Sequence, residues 1–333
     1  MFKIDKKPKI PKSPPKARAP IDEIMKYLFS VSKETLINML NSLFNQKLKI
    51  DDTTVIQTNS EFVDENFDIT RGDLFFRLTE KLKPHNFHIE VETRLNGNMT
   101  IRVLEYDIKK ADEHQRLENK SFVKRYVLPK SIVIHIEKGR NIPDCYESEI
   151  VDIKPDGSEE IIHRSVSVIK YWELSESDLI KRKLYPLLPM QVFLLRGELK
   201  KYAKSKNLKA KQEVISKVKK LTEKIITEAH KLAQEGKIDD GDDDKIITAL
   251  DKLIKYLNKQ YDFDEKLNQE VDTVIESVFT RLKRKGREEN KIETAKKMIL
   301  KNKPLEEIIE FSDLPEKKIR EIAKKLSKEI IVD

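Results

Sequence analysis

Three carboxylates stand close together on two short segments in which polar and apolar residues alternate. Residues 71–93 read RGDLFFRLTEKLKPHNFHIEVET, which predicts two strands joined by a polar turn centred near Lys83. Side chains on a strand alternate between faces, so Glu90 and Glu92 share one face, and that turn brings Asp73 alongside them. Carboxylates this close repel each other unless a positive charge lies between them. The spacing therefore makes this face a candidate cation site.

A divalent cation suits these oxygen ligands. Mg²⁺ is typically held by one or two carboxylates, while waters and substrate phosphates complete its coordination. Such an ion polarises a phosphoryl oxygen and lowers the pKa of bound water, which are two needs of phosphodiester hydrolysis. The alternative is structural: Arg77, His88 and the two glutamates would form cross-strand ion pairs on an exposed sheet surface. The spacing alone leaves both interpretations open.

A predicted helix follows the two strands and carries the nearest cations. Residues 99–114 have helical periodicity. The predicted apolar stripe consists of Ile101, Leu104, Ile108 and Ala111. An adjacent stripe contains Arg102, Tyr106 and Lys109 or Lys110. These side chains could contact phosphates, or Arg102 and Tyr106 could only pack the helix on the sheet.

The composition describes a soluble chain with a basic balance. The 333 residues are enough for two domains, and the net charge of +8 favours an acidic partner, nucleic acid first. One cysteine, Cys145, can form neither an intramolecular disulfide nor a zinc site, which fits a reducing cytoplasm. No apolar run approaches the ~18 residues of a membrane span, and the N-terminus lacks the apolar core of a signal peptide. We expect a cytoplasmic protein with no membrane partner.

The order of predicted elements indicates an α/β core. Helical patterns from residue 21 are followed by a strand near 53–58, the two strands described above, a helix, and a strand at 131–137. This helix, strand, strand, strand, helix, strand order is typical of α/β domains. Residues 150–171 predict an added hairpin turned at 155–157, after which the pattern is helical to the end.

The end of the chain has the rhythm of a helix–turn–helix. The candidate core of residues 305–325 consists of Ile308, Ile309, Leu314, Ile319 and Ile322. A plain antiparallel helix pair and a DNA-reading helix both need this pattern. Asp313 and Pro315 in the turn favour the plain pair.

Several segments, in a fixed order, carry a family resemblance. They are NGNMTIR at 96–102, Glu105-Tyr106, LPK at 128–130, SIVIHIE at 131–137, the Pro-Asp-Gly turn at 155–157 and LYPLLP at 184–189. Together with the two strands they resemble the PD-(D/E)XK nuclease superfamily, and more narrowly the Rpn family of recombination-promoting nucleases and transposases. The resemblance covers most of residues 21–330 and extends more weakly to Glu293-Thr294-Ala295.

The resemblance implies an α/β, restriction-endonuclease-like mixed sheet flanked by helices, with an added β-hairpin and an all-helical C-terminal region. It places the first metal-binding aspartate at Asp73 and the acidic residue of the (D/E)XK element at Glu90. The third position, lysine in the superfamily and commonly glutamine in this branch, is Glu92. A glutamate cannot stabilise negative charge at the attacking water, but it can serve as a metal ligand or general base. The following helix would then have to supply a cation.

We therefore expect a metal-dependent DNA endonuclease that hydrolyses phosphodiesters with Mg²⁺ or another divalent cation such as Mn²⁺. Its expected catalytic and metal-binding residues are Asp73, Glu90 and Glu92. Its expected phosphate- and DNA-binding residues are Arg102, Tyr106, Lys109 and Lys110. The alternative is a nuclease-fold protein with weak or no catalysis that binds nucleic acid or forms oligomers.

Three regions are expected along the chain. Residues 1–20 carry seven basic residues and five prolines, and predict a disordered basic tail. Residues 21–175 correspond to the PD-(D/E)XK nuclease-like domain, and residues 176–333 to the helical C-terminal region. DNA is the expected partner, and the C-terminal helices are where copies of the chain could associate as a homo-oligomer.

Overall fold

The computed structural model describes residues 19–58, 61–63, 69–71, 74–92, 98–113, 116–117, 124–139, 141–239 and 241–326. The predicted basic tail lies outside the described residues except for its last two positions, and Asp73 also lies outside them. The chain forms two compact units, of which the first ends at Glu270 and the second begins at Val271.

Within the described residues the chain alternates short strands and helices before it becomes helical. The strands are β1 (Thr53–Thr58), β2 (Glu61–Val63), β3 (Ile69–Arg71), β4 (Leu74–Glu80), β5 (Lys83–Glu92), β6 (Arg116–Leu117), β7 (Lys124–Arg125), β8 (Lys130–His135), β9 (Cys145–Ile153) and β10 (Glu159–Lys170). The α-helices are α1 (Ala19–Leu28), α2 (Lys33–Leu43), α3 (Met99–Glu113), α4 (Glu176–Lys181), α5 (Arg196–Ala203), α6 (Leu208–Gln234), α7 (Asp242–Tyr261), α8 (Glu265–Leu300), α9 (Leu305–Ser312) and α10 (Glu316–Lys325).

A six-stranded mixed sheet organises the first unit. Its strand order is β1-β4-β5-β8-β10-β9, and the two neighbouring pairs β5–β8 and β8–β10 are parallel while the others are antiparallel. Helix α3 lies in the crossover between the parallel strands β5 and β8, as such a connection requires. The predicted mixed α/β class is therefore confirmed.

The turn between β4 and β5 comes earlier than the sequence predicts. Glu80 pairs with Lys83, so only Lys81 and Leu82 form the turn. Both have positive φ angles, 47° and 67°, as the two central residues of type I′ hairpin turns do. The prediction of a turn centred near Lys83 was wrong because neither turn residue is the glycine or asparagine that usually marks this turn.

The apolar face of β4 and β5 packs as the alternation predicts. Its buried members are Leu74, Phe76, Leu78, Phe87 and Ile89. The Phe76 ring stacks on that of Phe29, just after α1, with centroids 6.1 Å apart. The Phe87 ring lies 4.6 Å from that of Phe44, which ends α2. The N-terminal helices therefore cover this face of the sheet.

Helix α3 covers the opposite face, but it does so with a different stripe from the one predicted. Ile101 and Ile108 are 67% and 48% exposed, so the predicted apolar stripe was wrong at these positions, although its member Ala111 is buried. The residues that α3 buries are Met99, Val103, Tyr106, Asp107, Lys110 and Ala111. Two of these are charged: Asp107 pairs with His88 and Arg164 of the sheet, and Lys110 pairs with Glu113 of the same helix.

The predicted hairpin and the helices after it complete the first unit. Strands β9 and β10 turn at the predicted position, where Gly157 has a φ of 82°. The 3-10 segment Tyr185–Leu195 is largely buried and packs against α6 and α7, while α1 packs against α7. None of the helices in the described ranges is long and apolar enough to cross a membrane.

The second unit contains a small helical core. Its buried members are Ala295 and Ile299 of α8, Leu305 and Ile308 of α9, Leu314, and Ile319, Ile322 and Ala323 of α10. Ile309 packs against this cluster and is partly buried. The two short helices and the candidate core expected from the sequence are confirmed.

Candidate active site

Two of the three predicted carboxylates lie side by side beneath α3. Glu90 and Glu92 occupy same-face positions of β5, opposite Val133 and His135 of the parallel strand β8. They are 2% and 1% exposed. Two charged groups removed from water this completely need counter-charges and hydrogen bonds.

Arg102 of α3 supplies the positive charge between the two glutamates. Its Nη2 atom donates to Oε2 of Glu92 at 2.9 Å and also to Oε1 of Glu90. The Arg102 side chain is 18% exposed, so this bridge is held in a largely desolvated space. The bridge differs from the structural alternative drawn from the sequence, which expected ion pairs on an exposed sheet surface.

His88 links this bridge to a second carboxylate of α3. Its Nε2 atom lies 3.3 Å from Oε2 of Glu90, and its Nδ1 atom lies 2.7 Å from Oδ1 of Asp107. The ring stacks on Phe75 with centroids 4.2 Å apart. Both nitrogens can donate to ionised carboxylates only when the imidazole is protonated. Each ring nitrogen of His88 faces a carboxylate oxygen, one on β5 and one on α3.

Asp107 is the second centre of the network. It is fully buried, and its Oδ2 atom accepts from the Ser131 hydroxyl at 2.6 Å and from the guanidinium of Arg164. In this network three carboxylates meet two guanidinium groups and one imidazole ring. Counter-charges and hydrogen bonds of this kind allow so many polar groups to be buried together.

The surroundings lower the pKa of both Glu90 and His135, so both groups favour their deprotonated forms. Burial alone would raise the pKa of Glu90, but the hydrogen bond with His88 and the Arg102 charge outweigh burial and leave that pKa below 4.5. Burial lowers the pKa of His135, and the Glu92 charge opposes this only in part. Glu90 is therefore ionised and His135 neutral near neutral pH.

Two groups at the edge of the network are also perturbed by burial. Burial raises the pKa of the Tyr146 hydroxyl, which lies 2.9 Å from Nε2 of His135. Burial lowers the pKa of the Arg164 guanidinium. Arg164, unlike Tyr146, lines a cavity of about 420 Å³ that is also lined by Phe44 and Ser131. A perturbed group beside a cavity is typical of functional sites.

The remaining predicted residues are placed in three ways. Tyr106 is buried, packs against Phe75 and lies edge-on to the His88 ring, 6.1 Å between centroids. Lys109 donates to Glu105 at 2.9 Å, whereas Lys110 is buried and pairs with Glu113. Their contact with phosphate stays a prediction. So does the role of Asp73, which lies outside the described residues.

The sequence interpretation missed the second half of the network. Asp107 and Arg164 are 57 positions apart, and no local spacing links them. One signal was present: Asp107 follows Val103 at i+4 and precedes Lys110 at i+3, so all three share a helix face. Asp107 was not recognised as facing the sheet because the inward side of the helix was assigned to Ile101 and Ile108.

The carboxylates of this site fit a divalent cation by donor type. Glu90 and Glu92 offer adjacent oxygens, the ligands that Mg²⁺ prefers. The part of the chain that the structure describes contains no cluster of three or more His, Cys, Asp or Glu arranged to hold a metal ion, and Asp73 is not in that part. Comparisons with protein-family models, curated proteins and solved structures found no match to this chain.

Proposed function

We propose that this chain is a metal-dependent DNA endonuclease of the recombination-promoting Rpn type. The observation that carries the proposal is the buried pair Glu90 and Glu92, bridged by Arg102. A hydrophobic pair of similar volume would often stabilise the fold as well or better. Acidic residues kept at this cost are typical of sites where charge is used.

The strand arrangement supports the same proposal. The acidic pair lies on the third strand of a β1-β4-β5 antiparallel run, and α3 leads on to the parallel strand β8. This is the element order that the family resemblance implies for a restriction-endonuclease-like fold. Helices α1 and α3 lie on opposite faces of the sheet and would be its two flanking layers. The proposal therefore includes the restriction-endonuclease-like fold.

The roles of the residues follow from their positions. Asp73 and Glu90 would hold the cation, and Glu92 would complete its ligands or act as a general base. A bound divalent cation would polarise the scissile phosphate and lower the pKa of its water. Arg102 would leave the carboxylates as the cation binds. Its planar guanidinium could then bind the substrate phosphate through two parallel hydrogen bonds. Lys109 would add positive charge on the same helix.

A second function is favoured by the same bridge. Arg102 already bridges the pair, and both glutamates are almost inaccessible to water. If Arg102 keeps this position, the chain retains the fold without efficient cleavage and acts by binding nucleic acid or by forming oligomers. This candidate predicts salt-dependent DNA binding with no cleavage when Mg²⁺ is added. The C-terminal helices remain the proposed site for oligomer contacts, in a cytoplasmic setting.

Plasmid nicking separates the two candidates. The wild-type chain is expected to convert supercoiled plasmid to nicked circles with Mg²⁺ or Mn²⁺ and not with EDTA. The Asp73→Ala, Glu90→Ala double variant should be inactive while it keeps its circular dichroism spectrum. Cleavage that persists in that folded variant would contradict the nuclease assignment at these residues, and inactivity of the wild type would favour the binding protein.

A further inference from the structure

Helix α10 presents an unusually basic outer surface. Only three of its ten residues, Ile319, Ile322 and Ala323, are buried. The seven exposed residues are Glu316, Lys317, Lys318, Arg320, Glu321, Lys324 and Lys325. Five of these seven carry positive charge, so the outward side of the helix favours a polyanionic partner.

The cations have a regular placement on the helix. Lys317, Arg320 and Lys324 follow an i, i+3, i+7 spacing, which puts them on one stripe, roughly opposite the buried residues. Arg320 donates to Glu316 at 2.6 Å, but both side chains are about half exposed. Exposed i, i+4 pairs contribute little to stability, so a phosphate can replace Glu316 at small cost.

The preceding helix differs from α10 in the sign of its charge. The exposed residues of α9 include Glu306 and Glu310, and the half-buried Glu307 binds Lys303. A polyanion would therefore avoid the outer side of α9 and bind α10. The separation of charge between two adjacent helices gives the unit one basic side.

The connection between α9 and α10 has helix–turn–helix dimensions. Helix α9 ends at Ser312, and Asp313 (φ of 52°), Leu314 and Pro315 separate it from the start of α10. This three-residue turn matches the three to four residues of helix–turn–helix motifs. Leu314 is buried in the core of the unit. The turn therefore fixes α10 against α9 and the end of α8.

Neither Asp313 nor Pro315 stands against DNA binding in this geometry. The ammonium group of Lys291 pairs with the Asp313 carboxylate and also lies 3.3 Å from its carbonyl oxygen, which offsets the negative charge in the turn. Pro315 immediately precedes the first helical residue, where its missing N–H costs the helix nothing. These contacts remove the reason for preferring a plain helix pair.

We propose that the second unit binds duplex DNA, with α10 as the helix that enters the major groove. Lys317, Arg320 and Lys324 contact phosphates or base edges, as the exposed residues of such helices do. This inference goes beyond the proposed nuclease function and depends on different residues. It holds whether or not the first unit cleaves DNA.

Equilibrium binding of the full chain to a short labelled duplex in EDTA tests this inference without cleavage. The Lys317→Gln, Arg320→Gln, Lys324→Gln variant is expected to bind on the order of tenfold or more weakly, with a salt slope smaller by about two to three. The matched control changes Lys209, Lys220 and Lys259 to Gln, which removes the same charge from exposed positions of α6 and α7. The control should retain its affinity within about threefold and keep its salt slope.

Two results would overturn the inference. One is equal weakening in the α10 variant and the control, which would mean that only net charge matters. The other is unchanged binding by an α10 variant whose helix content by circular dichroism matches the wild type. The binding measurement is made in EDTA, so its outcome does not depend on cleavage by the first unit. Failure of the nuclease proposal would therefore leave this result unchanged.

Discussion

The Nη2 atom of Arg102 lies 2.9 Å from Oε2 of Glu92, and the same nitrogen also donates to Glu90. One guanidinium nitrogen thus serves two buried carboxylates from adjacent same-face positions of β5. This contact explains how the sheet tolerates two negative charges beneath a helix. It also identifies the group that a divalent cation would have to displace.

Removing the bridging cation should destabilise the fold strongly. Arg102→Leu leaves two desolvated carboxylates without their shared positive charge, and breaking a buried ion pair in this way costs about 3–5 kcal/mol. Urea unfolding at neutral pH measures this loss. The control is Lys217→Leu, because Lys217 forms an exposed pair with Glu198 and should cost less than about 1 kcal/mol. Equal losses in the two variants would contradict a buried bridge.

The stability of the first unit should depend on the protonation of His135. Burial lowers its pKa below the ordinary 6.5, so the unfolded chain takes up a proton at a higher pH than the folded chain does. The contribution of the neutral His135 ring to the free energy of unfolding is fully present above pH 6.5. It is lost as the pH falls from 6.5 towards the folded-state pKa. A single titrating group changes the free energy of unfolding by at most about 1.4 kcal/mol per pH unit.

A His135→Gln variant tests this dependence. In the folded state Nε2 of His135 contacts Tyr146, and no hydrogen-bond partner among the described residues reaches its buried Nδ1. A proton added at Nδ1 would therefore be unsatisfied. Unfolding free energies at about pH 7.5 and about pH 5.5 should differ less in the variant than in the wild type. The same pH dependence in both proteins would exclude His135 as its source.

The hairpin turn offers a stabilising substitution. Lys81 and Leu82 adopt left-handed conformations that cost non-glycine residues roughly 1–2 kcal/mol each. Lys81→Asn with Leu82→Gly matches the residues that type I′ turns prefer and should raise the unfolding free energy by about 1–2 kcal/mol. Leu82 is 92% exposed, so its removal costs no core packing. A lower melting temperature in the double variant would refute the turn assignment.

Part of this site could be predicted from the sequence because strand geometry is local. A period of two places His88, Glu90 and Glu92 on one face, and the structure has them there. The partner of these residues could not be predicted in the same way. Arg102 was recognised as a nearby cation, yet its bridge between the glutamates depends on which side of α3 meets the sheet.

The phase of α3 shows why hydrophobic periodicity fails at a polar site. Periodicity assigns the inward side to Ile101 and Ile108, since apolar residues usually face a core. The helix instead buries a stripe that contains Met99 and Val103 together with Asp107. The partners of Asp107, His88 and Arg164, lie 19 and 57 positions away, so local periodicity does not show which stripe meets the sheet.

Divalent-cation binding tests the central claim most directly. Calorimetric titration of Mn²⁺ into the wild type should show a site that is lost in Glu90→Gln, Glu92→Gln. Arg102→Leu should bind Mn²⁺ more tightly than the wild type, because the competing guanidinium is gone. Equal Mn²⁺ binding by the wild type and the double glutamine variant, or none by the wild type and Arg102→Leu, would contradict a cation site at these carboxylates.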